Sequence, residues 1–159
     1  MKINIICVGK LKEKYLKDAC DEYSKRLGRF CNLNIIELPD EKIPDNPSVA
    51  EEEQILRMEA EKIKKHIADS DYVFALCVEG RQLPSEKFAQ KLSDIMLSGK
   101  STVDFVIGGS LGLDASIKKR ADNKLSFSEM TFPHQLMRVI LLEQTYRCFK
   151  INANEKYHK

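Results

Sequence analysis

Residues 102–112 read TVDFVIGGSLG, and this stretch decides the class of fold. Its first half, Thr102 to Ile107, is mostly β-branched and apolar, which is typical of a buried β-strand. Gly108 and Gly109 then end the strand and open a glycine-rich loop that closes at Gly112. Buried strands of this kind belong to parallel sheets whose faces are covered by helices. We therefore expect an α/β protein.

Strands and helices alternate on both sides of this stretch. The predicted strands are Lys2–Val8, Leu33–Leu38, Tyr72–Val78, Thr102–Ile107 and Lys124–Phe127. The predicted helices run from Lys12 to about Gly28, from a capping box at Ser48–Glu51 to Ile67, from Pro84 to about Gly99, from Asp114 to Arg120 and from Pro133 to about Ile151. No internal repeat or linker interrupts this pattern. We expect residues 1–159 to form a single domain with a mostly parallel sheet and helices on both faces.

The last predicted helix is apolar on nearly every side. Val139, Ile140, Leu142 and Phe149 point in different directions around a helical wheel. A helix without a polar face is either wrapped by its own domain or forms half of a subunit interface. From these four residues we predict a homodimer.

Composition excludes several classes of protein. The chain has 159 residues, of which 43% are hydrophobic and 31% charged, so it is neither disordered nor membrane-spanning. No apolar run approaches the ~20 residues of a spanning helix, and the opening residues Met1–Val8 do not resemble a signal peptide. We expect no membrane partner and a cytoplasmic location.

Cysteine and histidine usage argues against a metal site. The five cysteines include no C-x-x-C pair, and Cys7 and Cys77 lie in predicted strands, where a thiol acts as a small hydrophobic group. The three histidines form no H-E-x-x-H motif. We expect reduced cysteines and no bound metal.

Charge is unevenly distributed although the net charge is only +2. Residues 1–30 hold eight basic and four acidic side chains, residues 37–61 hold two basic and nine acidic ones, and residues 101–159 hold nine basic and six acidic ones. The two ends of the chain could form one basic face suited to nucleic acid. Considered alone, the charges are better explained by ordinary solvated helix faces.

Three segments follow predicted strands and should meet at one edge of the sheet, where α/β proteins bind ligands. They are Glu79–Arg81, Gly108–Gly112 and Ser126–Phe132. The glycine loop lacks the G-x-G-x-x-G spacing of dinucleotide sites and is equally consistent with a tight turn. Phe127, Met130 and Phe132 are large and apolar without periodicity, so they line either the core or a pocket.

Long strings of residues resemble one known family. They are VIGGSLG at 106–112, LSFSEMTFPHQLMR at 125–138, EQTYR at 143–147 and YHK at 157–159, supported by VGKLK at 8–12 and LPDE at 38–41. Together they resemble the RlmH family of SPOUT-class methyltransferases across the whole chain. Members of that family methylate N3 of a pseudouridine in 23S ribosomal RNA.

This resemblance implies a C-terminal trefoil knot, a homodimer and S-adenosylmethionine as the methyl donor. It also implies the ribosome as partner. The sequence leaves open whether the enzyme acts on free RNA or only on the assembled particle. The donor contacts transferred from the family are Leu76, Gly108, Phe127, Ser128, Glu129, Met130, Thr131 and Phe132. We expect Gly108→Val to abolish donor binding without unfolding the protein.

Candidate catalytic residues lie near the end of the sequence. His158 can exchange a proton near neutral pH and Tyr157 can stack on a base, and the resemblance favours both over a frayed tail. Arg147 and Arg138 can hold a phosphate or a carboxylate. His134 is equally consistent with a cap or core residue. Because Asn152–Asn154 is a weak helix former, we expect residues 157–159 to form a mobile tail.

Two other functions remain compatible with the residues alone. The basic ends would suit a ribosome-binding assembly factor without catalytic activity, which should show no saturable affinity for S-adenosylmethionine. The glycine loop would suit a nucleotide-dependent oxidoreductase, which should bind NAD. The acidic residue that such a site places after its glycine motif is missing.

Overall fold

A computed structural model describes residues 1–158. Its strands are β1 (Lys2–Val8), β2 (Asn32–Leu38), β3 (Tyr72–Gln82), β4 (Thr102–Ile107) and β5 (Asn123–Ser126), and its helices are α1 (Lys14–Leu27), α2 (Val49–Lys64), α3 (Ser85–Leu97), α4 (Ala115–Arg120) and α5 (His134–Asn152). All strand pairs in the sheet are parallel, in the order β2-β1-β4-β3-β5. The expected α/β class is confirmed.

The two faces of the sheet bury different sets of side chains because neighbouring residues of a strand point to opposite sides. Ile3, Ile5 and Cys7 of β1 pack with α1, α3 and α5, whereas Ile6 and Val8 pack with α2 and α4. Helices therefore cover both faces of the sheet, as predicted.

Strand β3 is longer than predicted. Tyr72–Val78 was expected to end before a loop at Glu79–Arg81, but β3 continues to Gln82, with a shift in its pairing to β5 between Leu76 and Arg81. A Cβ atom on Gly80 would lie 2.7 Å from the carbonyl carbon of Leu125. Gly80 therefore permits the close approach of β5 and does not end the strand.

Helix α5 packs between α1 and α3. Leu142 and Phe149 are buried there, so these two of the four residues assigned to a dimer interface are instead core residues. Val139 and Ile140 are only half-buried. No helix within residues 1–158 is both long enough and apolar enough to cross a membrane.

A polar cluster lies inside the sheet at the amino-terminal half of its strands. The Asn4 amide donates to Asp104 Oδ1 over 2.7 Å, and the Asn34 amide donates to Asn4 Oδ1 over 3.1 Å. The second carboxyl oxygen of Asp104 has no hydrogen-bond partner among residues 1–158. Burial raises the pKa of Asp104 to about 6, against the hydrogen bond from Asn4 and together with the charge of Asp71.

Candidate functional site

A cavity of about 310 Å³ opens at the carboxyl edge of the sheet. Its lining comes from the ends of three neighbouring strands, namely residues 76–79, 107–113 and 125–132 without 129, together with Lys118, His134 and Met137. Ligands of α/β proteins bind at this edge because the loops after parallel strands converge there. Most of the lining residues are apolar or glycine and a smaller number are polar, as in small-molecule sites.

Seven of the eight residues expected to contact a donor line this cavity. They are Leu76, Gly108, Phe127, Ser128, Met130, Thr131 and Phe132. Glu129 is exposed and is not part of the lining. The three strand-end segments selected from the sequence therefore meet at one place, although Glu79–Arg81 does so as part of a strand.

The glycine loop after β4 folds tightly onto itself. Gly109 and Gly112 form an isolated bridge, and Gly112 has a φ of 84°, which glycine adopts without strain. A Cβ atom on Gly108 would lie 2.3 Å from the carbonyl oxygen of Gly112. The Gly108→Val substitution would thus displace the backbone of the loop itself. The sequence predicts that this variant folds and loses only donor binding, whereas the structure indicates that its loop would also be distorted.

Short-range hydrogen bonds shape the segment after β5. The Ser126 hydroxyl donates to the Ser128 carbonyl over 2.9 Å, and the Met130 amide donates to the Ser128 hydroxyl over 3.0 Å. These contacts turn the chain across the ends of the strands and leave Met130 74% exposed at the rim. An exposed methionine beside a cavity is suited to covering an apolar ligand.

An ion pair borders the cavity at the end of β3. Lys118 of α4 contacts Glu79, and this hydrogen bond holds the pKa of Glu79 below its ordinary value. Sequence analysis did not identify Lys118, because α4 is short and its neighbours Lys119 and Arg120 are also basic. Only the folded structure shows that Lys118, and neither of these neighbours, lines the cavity.

His134 begins α5 and lies against the end of β1. Its Nε2 atom would be 3.4 Å from a Cβ atom on Gly9, which has a φ of 91°. Burial lowers the pKa of His134 below its ordinary value, and the positive charge of Arg138 acts in the same direction. The ring is therefore neutral at physiological pH. The sequence alone is consistent with a cap or core residue, whereas the structure places His134 in the cavity lining.

Arg138 holds the beginning of α5 against two strand ends. Its guanidinium donates to Glu37 at the end of β2 and to the Gly9 carbonyl over 3.0 Å, and its side chain is 1% exposed. Of the two anions considered from the sequence, phosphate and carboxylate, Arg138 binds the carboxylate. The Leu11 amide also donates to Glu37, over 3.1 Å. Burial opposes ionisation, but these hydrogen bonds keep the pKa of Glu37 below its ordinary value.

Residues 155–158 fold back on the protein. Asn154 has a φ of 53°, a left-handed conformation that commonly ends helices, and the Glu155 amide donates to the Lys150 carbonyl over 2.9 Å. This turn packs the Tyr157 ring edge-on against Tyr146, with ring centroids 4.9 Å apart. The expected mobile tail is thus docked in this structure, up to His158. Lys159 lies outside the described residues.

Glu143 connects two of the three candidate catalytic residues, Arg147 and Tyr157. Its carboxylate accepts from Arg147 over 2.5 Å and from the Tyr157 hydroxyl over 3.1 Å. Burial, a hydrogen bond with Tyr23 and the charge of Glu143 raise the pKa of Tyr157 to about 12, so the phenol stays protonated at neutral pH. Arg147 forms the ion pair that the sequence allowed as one of its roles.

Both ring nitrogens of His158 have partners. Nδ1 lies 3.3 Å from an Arg147 guanidinium nitrogen, and Nε2 lies 2.8 Å from the Glu86 carboxylate. Because a guanidinium only donates, Nδ1 accepts and the proton of the neutral ring lies on Nε2. None of Arg147, Tyr157 and His158 lines the cavity of the same chain.

A second depression lies at the opposite edge of the sheet. This open groove of about 830 Å³ is lined by Met1, Ser24, Gly28, Phe30, Cys31, Asn32, Leu33 and Ile35. No Asp, Glu, Lys, Arg or His side chain belongs to its lining. Over residues 1–158, no three His, Cys, Asp or Glu side chains are grouped so that they could hold a metal ion.

Comparison with known proteins gives a consistent result over the whole chain. The family model described as predicted SPOUT methyltransferase matches residues 1–158. Three similar proteins are each named ribosomal RNA large subunit methyltransferase H. They come from Bifidobacterium adolescentis (62% identical), Clostridium novyi (60%) and Streptococcus suis (58%), and each alignment covers 159 residues and 100% of both chains.

Proposed function

We propose a reaction for this chain from one premise, that it belongs to the SPOUT methyltransferases and, within them, to the RlmH family. The proposed reaction moves a methyl group from S-adenosylmethionine to N3 of a pseudouridine in 23S ribosomal RNA. Its substrate is the assembled ribosome, and its location is therefore the cytoplasm. The observation that carries the proposal is the cavity formed by three strand ends, because it brings together seven of the eight residues expected to contact the donor.

The cavity lining fits S-adenosylmethionine in its chemistry. Leu76 and Phe127 provide apolar surface for the adenine ring, and the glycines after β4 let backbone approach the ligand closely. Backbone groups of residues 127–132 supply donors and acceptors for the adenine edges. The donor supplies a methyl group activated by a positively charged sulfur. The chain itself contributes mainly position, which can account for a large part of a rate enhancement.

Basic residues near the cavity support RNA as the acceptor. Lys10 and Lys12 are exposed on the connection between β1 and α1, and Lys14 is exposed at the start of α1. The Lys12 amide donates to Gln135 Oε1 over 3.0 Å, so this connection lies beside the first turn of α5 and the cavity. Lysines placed there would neutralise RNA phosphates around the reacting base.

The proposed enzyme is a homodimer, in which N-terminal lysines of one subunit add to those that already lie beside the donor site of the other. Half-buried Val139 and Ile140, with Leu136 39% exposed, offer apolar surface on α5. We also propose the trefoil knot of the family for the C-terminal part of this chain. Sedimentation should give a dimer at micromolar concentration, and an active monomer would contradict this part of the proposal.

Residues 157–159 are proposed to close over the target base. RNA is usually read through unstacked bases, which aromatic rings can stack against. Tyr157 would pack on the base, His158 would form a hydrogen bond to it and Lys159 would contact phosphate. Arg147 would hold the two aromatic side chains, since its guanidinium carbon lies 4.8 Å from the Tyr157 ring centroid.

Methyl transfer from labelled S-adenosylmethionine tests this proposal. Ribosomal particles that lack the modification should incorporate label when the protein is added, and free 23S RNA should incorporate much less. An assembly factor would bind the particles but would show no saturable affinity for the donor. An oxidoreductase would bind NAD. Saturable donor binding without transfer to either form of RNA would contradict the proposed acceptor.

A further inference from the structure

We propose that His134 is the general base that accepts the proton from N3 of the target pseudouridine. This inference rests on the proposed function and adds a residue role to it. The ring lines the cavity at the end nearest the Lys12 connection, which is the side from which we expect RNA to approach.

The other titratable side chains in the cavity lining are already occupied or inert. Glu79 and Lys118 form an ion pair with each other. The Cys77 thiol donates to the Ala75 carbonyl, and burial raises its pKa. His134 is the remaining titratable residue of the lining.

The His134 ring is free to exchange a proton. Both side-chain hydrogen bonds that involve a histidine ring within residues 1–158 belong to His158. His158 has no lone pair to spare in this arrangement, because Nδ1 accepts from Arg147 and Nε2 carries its proton towards Glu86. The His134 ring, half-buried at the cavity wall, has no such partners among residues 1–158.

The surroundings of His134 favour the neutral imidazole that a base requires. Burial and the charge of Arg138, on the same helix, lower the pKa of His134, and Lys12 of the β1–α1 connection acts in the same direction. Asp40, after β2, acts in the opposite direction and more strongly than Lys12, but less strongly than burial and Arg138. The positive end of the α5 dipole also disfavours the charged ring.

The proposed step balances in atoms and charge. A neutral ring nitrogen of His134 takes the N3 proton, and the electron pair left on N3 forms a bond to the methyl carbon. The bond from that carbon to sulfur breaks, and its electron pair stays on sulfur. The products are methylated pseudouridine, S-adenosylhomocysteine and an imidazolium, which then loses its proton to water.

His134→Gln tests this role, because glutamine keeps a similar size and polarity but cannot accept the proton. We expect the single-turnover rate on ribosomes to fall by about 100-fold or more, the usual scale for a lost general base. Donor affinity measured by calorimetry should change by less than about twofold. The matched control is His66→Gln, an exposed histidine outside the cavity, which should keep the wild-type rate.

The pH profile separates a base from a structural role. The wild-type rate should be nearly constant between about pH 7 and 8, where the imidazole is already neutral. The His134→Gln rate should rise by about tenfold per pH unit there, because the variant must wait for N3 to ionise on its own. If His134→Gln does not fold, restoration of activity to His134→Ala by added imidazole replaces it as the test.

The outcomes distinguish this inference from the proposed function. Wild-type protein that transfers no methyl group to RNA overturns both. An active wild type together with a His134→Gln variant of equal rate overturns the role of His134 alone. So does a slower variant whose profile stays flat, or a folded His134→Ala variant that imidazole does not restore.

Discussion

Arg138 shows how one buried side chain supports the cavity from outside its lining. It joins the ends of β1 and β2 to the first turns of α5, four residues after His134. A buried guanidinium is costly unless charge and hydrogen bonds compensate it, and in Arg138 both terminal nitrogens have partners while Nε has none among residues 1–158. The contact to Glu37 therefore fixes where α5 begins, and with it the position of the His134 ring.

Glu37→Gln should weaken this support. Arg138 would keep a neutral acceptor but lose its counter-charge, at a cost of about 1–3 kcal/mol in the free energy of unfolding. Because the pKa of Glu37 is lowered in the folded protein, its contribution exists above the unfolded pKa and is lost as pH falls through the folded value. Urea unfolding at pH 7 should show the loss, and the difference from wild type should shrink in acid. Glu22→Gln, in an exposed ion pair with Arg26, is the control and should cost under about 0.5 kcal/mol.

Leu76→Ala tests the cavity by removing apolar surface from its floor. Losing those methyl groups should weaken donor binding by about tenfold, which corresponds to ~1.4 kcal/mol of apolar contact. Leu97→Ala is the matched control because Leu97 is 82% exposed at the end of α3 and does not line the cavity. Calorimetry with S-adenosylmethionine should separate the two variants. Equal affinity for both would place the donor elsewhere.

Individual site residues were predictable when a motif or a break in periodicity marked them. Gly108 and Phe127–Phe132 stood out because neither glycines nor large apolar residues fit the surrounding pattern. Lys118 did not stand out, since it is one of three successive basic residues in α4 and only its facing direction gives it a role. The cavity-lining position of His134 depends on the contact between α5 and Gly9, which are far apart in sequence.

At the scale of elements, the β1–β4 strand pair contains a buried carboxyl group, Asp104, whose ionisation lowers the free energy of unfolding as pH rises. The pKa of Asp104 is raised to about 6 in the folded protein, so this residue favours folding in acid and loses that contribution as pH rises towards and past 6. Asp104→Asn keeps an oxygen to accept from Asn4 but cannot ionise. The free energy of unfolding of Asp104→Asn, measured relative to wild type, should therefore be about 1–3 kcal/mol higher at pH 8 than at pH 4.

Asp45→Asn is the control for this measurement, because Asp45 is exposed in the loop before α2. The free energy of unfolding of Asp45→Asn should stay within about 0.5 kcal/mol of the wild-type value at both pH values. Unfolding curves at the two pH values give the comparison directly. A constant difference for Asp104→Asn would show that Asp104 titrates normally in the folded protein.

Strand and helix positions followed from local pattern, whereas their lengths sometimes depended on distant contacts. β1 and β4 have the predicted bounds, because apolar runs end at glycines there. β3 exceeds its prediction because pairing with β5 extends it through Gly80, and glycine in isolation indicates a break. The strand order itself is set by packing between elements and was outside what periodicity can predict.

At the scale of the whole molecule, the docked tail and the cavity occupy separate places on one chain. Deleting residues 157–159 should leave donor affinity and dimerisation unchanged, because none of the described tail residues lines the cavity. Turnover on ribosomes should fall by about 100-fold or more if the tail holds the target base. Glu155→Gln is a control that removes the ion pair with Lys150 but keeps residues 157–159 in the chain. Full activity of the truncated protein would show that Tyr157 and His158 have no catalytic role.

The central claim concerns which atom of which nucleoside receives the methyl group. Ribosomal particles that lack the modification can be incubated with the protein and S-adenosylmethionine, and their 23S RNA digested to nucleosides for chromatography and mass spectrometry. The account predicts a donor-dependent, monomethylated pseudouridine that co-elutes with synthetic N3-methylpseudouridine. An unchanged nucleoside profile, or a methyl group on another atom or another base, would contradict it.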